Sequence, residues 1–159
     1  MSKALQSKFL KSIEAHASKV LSGTLLVIDP SSGSKDSMPG FAIFKQGVLE
    51  SHGEIEIPPS YPIQKRLQVL DHKIRCLLPD PATVFGMEDI SGQHFSHKYL
   101  VWACGVSVAA SQTPALILVP IQTWKTYARK DPDYVKSDAS DAKYMGVAIV
   151  ELSKKVLQK

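Results

Sequence analysis

The sequence predicts an α/β domain built on a mixed five-stranded sheet with helices on both faces, preceded by a helical extension. Three observations carry this. Five short runs, at residues 25–28, 41–45, 48–57, 83–87 and 115–119, have strand character and are too short for helices. The second and third are separated only by Gln46-Gly47, a hairpin signal that makes this part antiparallel. The later runs alternate with stretches of helical period, and helical crossovers join strands as parallel pairs.

Residues 2–21 read as one helix, with Leu5, Phe9, Ile13, His16 or Ala17, and Val20 on one face. Lys3, Lys8, Lys11 and Lys19 lie off that face, beside a single acid, Glu14. The segment reads as an extension packed on the domain, as a DNA-facing arm, or, being rich in Lys and Ser, as a transit peptide. Gly23 closes it, which divides the chain into an extension at 1–23 and a domain at 24–159.

Leu25 to Ile28 is uniformly apolar, as in a strand buried on both faces. It ends in Asp29, followed by Pro30 and a loop rich in Gly, Ser and Pro that runs to Gly40. An acid at the tip of a buried strand either caps a turn or faces outward as a metal ligand. The hairpin is followed by an extended connector, Ile57-Pro58-Pro59-Ser60-Tyr61-Pro62. A helix is predicted over 63–78, with Ile63, Leu67, Leu70, Ile74 and Leu77 as its buried stripe and Pro79 as its stop. The strand at 83–87 again ends in an acid, Glu88. A helix then runs to about Ala110, carrying Tyr99, Trp102 and Val106. The fifth strand ends at Pro120. Residues 124–130 read as a short basic segment, and a last helix runs from Ser137 or Asp138 to Val156.

With 159 residues, 44% hydrophobic and 21% charged, the chain suits one globular domain and is neither disordered nor fibrous. Its net charge of +4 permits a nucleic-acid partner without requiring one. Cys76 and Cys104, both in helical apolar surroundings, are expected to be buried free thiols in a reducing compartment. No stretch is long enough for a membrane span, and Lys8, Lys11 and Glu14 interrupt any secretory signal.

Asp138 and Asp141 open the last helix three residues apart, about 60° apart around its axis. Their face continues through the apolar Met145, Ala148, Ile149 and Leu152, so both acids share the side that packs on the sheet. Helix capping accounts for Asp138. It accounts less well for Asp141, which lies on an inward stripe where an acid needs a partner. If the two strands are neighbours, Asp29, Glu88, Asp138 and Asp141 converge. Four clustered carboxylates repel one another, and a divalent cation removes the conflict. Oxygen donors with few competing His or Cys point to magnesium, with manganese able to substitute. Two such ions suit attack of water on a phosphodiester.

These residues resemble a known family. VIDPSSGSKDSMPGFAIF looks like the first motif of RuvC-type Holliday-junction resolvases, within the ribonuclease H-like superfamily. FGMEDIS resembles their second motif and DASDAKYMGVAIV their last. KRLQVLDHKIRCLLPDP and WACGVSVAA are similar to the helices before and after the second motif. The resemblance implies a ribonuclease H-like fold, with Asp29, Glu88, Asp138 and Asp141 as ligands of two magnesium ions. It also implies that Lys125 acts on the scissile phosphate, and that a homodimer cuts four-way DNA junctions in paired nicks. The helix at 95–110, with Trp102, Ala103, Gly105 and Ala109, is the expected dimer surface. Lys125, Arg129, Lys130, Lys136, Lys154 and Lys155 are candidate phosphate contacts.

The chain departs from the pattern in three places. The loop at 31–39 is long. Ser91 stands where an aromatic wedge often follows the second-motif acid, leaving Phe95 or Tyr99 to substitute. The helix at 2–21 has no counterpart. Two other readings compete with a junction resolvase: a ribonuclease H-like nuclease for branched DNA or RNA–DNA hybrids, and a non-catalytic junction binder. Clustered acids disfavour the binder, which has no use for them. A cytoplasmic setting is expected, in a nucleoid or in the host cytoplasm of a phage, with an organellar matrix as the alternative.

Overall fold

The computed structural model describes residues 3–30, 38–78, 84–90, 97–112 and 115–159. In chain order the elements are α1 (Lys3–Ser22), β1 (Thr24–Asp29), β2 (Gly40–Lys45), β3 (Val48–Glu54), α2 (Ile63–Leu77), β4 (Val84–Glu88), α3 (His97–Gln112), β5 (Leu116–Val119), α4 (Ile121–Ala128) and α5 (Asp138–Leu157). The strands form one mixed five-stranded sheet in the order β3-β2-β1-β4-β5, the architecture the sequence predicts. The 31–37 part of the long loop, Pro79, Thr83, Ser91 and Phe95, and the side chain of Tyr99, lie outside the described residues.

β1 is the central strand, antiparallel to β2 and parallel to β4. Its side chains alternate between two cores, as the pleat requires. Leu25 and Val27 face one core with Phe9, Val20, Trp124, Met145 and Ile149. Leu26 and Ile28 face the other with Leu70, Ile74 and Val108. So α1, α4 and α5 cover one face of the sheet, and α2 and α3 cover the other. The β2–β3 turn places Gln46 at φ 51° and Gly47 at φ 73°, the pair of positive values that a type I′ hairpin needs. β3 stops at Glu54, short of the predicted 57: the Ile55 N–H still donates to the Pro39 carbonyl at 2.7 Å, but a proline has no N–H with which to continue the ladder.

Several expectations are corrected. Residues 124–130, read as a basic segment, belong largely to helix α4, which begins earlier, at Ile121, and ends at Ala128; Pro120 precedes it without costing a hydrogen bond, and Trp124 and Ala128, one turn apart, are buried. On α2, Leu70 and Ile74 are buried as expected, but the third buried residue is Arg66, one position round from Leu67. Cys76 is exposed, about 200° round the helix from buried Ile74, and Cys104 is half-buried; both are free thiols. On α1, Ala17 takes the buried position, and His16 is half-exposed. Two of the residues assigned to a dimer surface are used internally. A β-carbon at Gly105 would lie 2.7 Å from the Met87 methyl, so α3 rests its glycine on the sheet. The Trp102 indole N–H donates to the Glu88 carbonyl at 3.0 Å. Among the described residues, no helix is long and apolar enough to cross a membrane.

Candidate active site

Strand alternation decides where the acids go. Leu25 and Val27 face the α5 side of the sheet, so Asp29, two residues on, faces it too. On β4, Val84 shares that face and Gly86 lies under Ile149 of α5, which sends Glu88 the same way. Ile28 pairs with Met87 in register, so Asp29 and Glu88 are level at the carboxyl ends of adjacent parallel strands. The carboxyl edge of a parallel sheet is where open α/β folds bind ligands.

α5 brings the other two acids to this edge. It is seated close to the sheet by two glycines: a β-carbon at Gly146 would lie 2.0 Å from the Phe44 ring, and one at Gly40 would lie 1.9 Å from the Asp138 carbonyl oxygen. Gly40 is the register partner of Asp29, so the first turn of α5 sits against β2 level with β1's last residue, one strand away. The N-cap is Ser137, whose hydroxyl accepts from the Ser140 N–H at 3.1 Å. The capping role assigned to Asp138 therefore falls to its neighbour, and Asp138 is the first helical residue. Asp29 and Glu88 are each 4% exposed and Asp141 8%. Asp138 is half-buried.

Burial pushes the Asp141 carboxyl above the ordinary carboxylate range, and the nearby charge of Glu88 adds to this. A hydrogen bond from Tyr134 and the charges of Lys125 and Lys136 act in the opposite direction. Lys125 is thus within electrostatic reach of the site, as its place in the sequence suggests. Trp124 beside it is 2% exposed, which anchors this turn of α4. Lys143 lies over the Tyr144 ring, 4.9 Å from its centroid.

Sequence reasoning missed Tyr134. Its hydroxyl donates to Asp141 Oδ1 at 2.5 Å. Burial, this bond and the charges of Asp141 and Asp29 keep the phenol protonated far above its usual range. The available signal was an aromatic residue seven positions before an inward-facing acid, and it has no periodicity to reveal it.

The donors gathered here are carboxylate oxygens, the type that suits a small hard cation. As the side chains stand, no three His, Cys, Asp or Glu among the described residues form a geometry that would hold one ion. One oxygen of Asp141 is engaged by the Tyr134 phenol.

No protein-family model and no curated protein matches the chain. Among solved structures, Thermus thermophilus RuvC in complex with a Holliday junction substrate matches with a TM-score of 0.57 at 11% identity, covering 79% of this chain and 91% of that one. A second Thermus thermophilus RuvC structure matches with a TM-score of 0.56 at 10% identity, covering 84% and 96%. The fold is RuvC-like. At this identity the likeness is one of fold, and it agrees with the resemblance carried by the acidic motifs. In this RuvC-like frame, Asp29 and Glu88 lie on neighbouring strands and α5 supplies the remaining pair.

Proposed function

We propose that this chain is a divalent-cation-dependent endonuclease that resolves four-way DNA junctions, working as a homodimer. The observation that carries this reading is the burial of Asp29, Glu88 and Asp141 on one face at the carboxyl edge of a RuvC-like sheet. Carboxylates gathered on one face disfavour one another's charge, as Glu88 does that of Asp141, and a bound cation offsets this. One of the matching structures is a RuvC bound to a Holliday junction, which favours branched DNA over an RNA–DNA hybrid.

Asp29, Glu88, Asp138 and Asp141 would hold magnesium, or manganese in its place. A divalent cation held there would supply the activation of water and the neutralisation of the leaving oxygen that phosphodiester hydrolysis needs. The protein's own part is to position the ligands and balance charge. The strand ends hold Asp29 and Glu88 rigidly, and Ser137 fixes the first turn of α5. Lys125 offers a cation beside Asp141, where charge develops on the scissile phosphate. Two symmetric nicks in one junction call for two copies of the site, which a two-fold dimer provides. Trp102 and Gly105 also serve the interior, so a dimer built on α3 would use the outward part of that helix.

Incubation with labelled four-way, flap and RNA–DNA hybrid substrates in magnesium tests the reading. Paired cuts at the four-way junction are expected, with little cleavage of the hybrid. The Asp29→Asn variant should bind junctions at least as tightly as wild type and cut none, because Asn keeps the shape and loses the charge that holds the cation. Near-normal turnover by Asp29→Asn would remove the metal-site assignment. Preferential hybrid cleavage would move the substrate to the ribonuclease H class.

A further inference from the structure

The segment between α4 and α5 is ordered by side chains that the proposed chemistry does not use. The Asp131 carboxylate accepts from the Tyr144 hydroxyl on one oxygen and from the Asp133 N–H, at 2.9 Å, on the other. The Asp131 carbonyl accepts from the Tyr134 N–H at 3.2 Å. The Tyr134 ring stands edge-on to the Tyr144 ring, with centroids 5.3 Å apart and planes at 84°. Tyr144 is itself buried on α5. Tyr134 is therefore held at its backbone and at its ring, and the one polar group at its tip meets Asp141 Oδ1.

The geometry points to Tyr134 as a positioning residue for the cation site: its hydroxyl fixes the rotamer of Asp141 by engaging Oδ1 and leaves Oδ2 to bind the metal. This rests on the metal-site reading above. A carboxylate has about four acceptor positions, so one phenol does not exhaust it. A ligand whose orientation is set before the ion arrives loses less freedom on binding, and partners of this kind typically contribute 10–100-fold in metal affinity. A phenol that merely blocked the carboxylate until displaced would need freedom to leave. Tyr134 is held at its backbone and at its ring, which favours a brace over a latch.

The test is manganese binding to the full chain, read from the electron paramagnetic resonance signal of the free aqueous ion. Tyr134→Phe removes one oxygen and leaves the ring on Tyr144, and is expected to weaken manganese binding about 10–100-fold with an unchanged circular dichroism spectrum. Tyr144→Phe keeps the aromatic pair and loses only the bond to Asp131; its manganese affinity should stay within about threefold of wild type. Tyr134→Phe binding as tightly as wild type, or more tightly, overturns the inference and leaves the site reading intact. Loss of fold in Tyr134→Phe, or an equal loss of affinity in Tyr144→Phe, assigns the hydroxyl to packing and also overturns it. Wild-type protein that binds no manganese overturns the site reading itself, and this inference with it.

Discussion

Lys125 separates a role in binding from a role in chemistry. Its ammonium bears on Asp141, and the buried indole of Trp124 next to it holds that turn of α4 in place. The ammonium lies 5.5 Å from the Trp124 ring centroid, a further restraint on where the charge can go. A lysine that only steers DNA is one phosphate contact among several and costs little when removed. A lysine placed where charge develops acts in the transition state, where losing one donor costs about 3–4 kcal/mol, or 10²–10³ in rate. Single-turnover cleavage of a saturated junction isolates that step. Lys125→Ala is expected to slow it by about 10²–10³ while junction affinity falls only a few-fold. A rate within about threefold of wild type would return Lys125 to an ordinary surface charge.

At the scale of elements, the site depends on how closely α5 approaches β2. A β-carbon at Gly40 would lie 1.9 Å from the Asp138 carbonyl oxygen and 2.6 Å from the Ala139 nitrogen, and both are backbone atoms that no rotamer can move aside. Gly40→Ala must therefore push the first turn of α5 off the sheet, carrying Asp138 and Asp141 away from Asp29 and Glu88. Overpacking of this sort typically costs about 1–3 kcal/mol of stability. A displacement of about 1 Å in a reacting constellation can cost 10²-fold in rate. The variant should fold with a lowered denaturation midpoint and lose at least that much single-turnover activity. Wild-type cleavage by Gly40→Ala would show that the α5 contact does not set the geometry of the acids.

Across the whole molecule, the basic residues divide into two groups. Lys125 and Lys136 bear on the acidic edge, while Lys130 lies over the ring of Tyr127, whose hydroxyl is near Glu151 of α5. Lys154 and Lys155 sit in the last turn of α5, about 25 Å along the helix axis from Asp138. Lys154 also pairs with Glu151 at 2.8 Å. Of the six candidate phosphate contacts that the sequence suggests, Lys125 and Lys136 are therefore the two beside the acidic edge. Counterion release at these two contributes about −2 to the log–log salt slope of junction binding. Binding titrations from 50 to 200 mM salt, roughly, measure it. Replacing Lys125 and Lys136 by Ala should flatten the slope by about two, and replacing Lys154 and Lys155 should leave it unchanged.

The strands, their polarity and the acids that end them could be read directly, because each is written in local order. Period-two and period-3.6 patterns record which side of an element is buried, and Gln46-Gly47 records its own turn. That an acid on the inward face of α5 needs a partner was equally legible. Nothing local says that β1 lies between β2 and β4, since pairing joins residues far apart in the chain, and only that order makes Asp29 and Glu88 neighbours. Helix α4 escaped notice because eight residues carry too few turns to show a period. Cys76 was misplaced because an apolar helix can be buried on one side only. Gly40 and Tyr134 are invisible in one dimension for the same reason: what makes each matter is a backbone or a carboxylate delivered by another element. Sequence pattern sets which residues face inward, and packing of distant segments sets which of them meet.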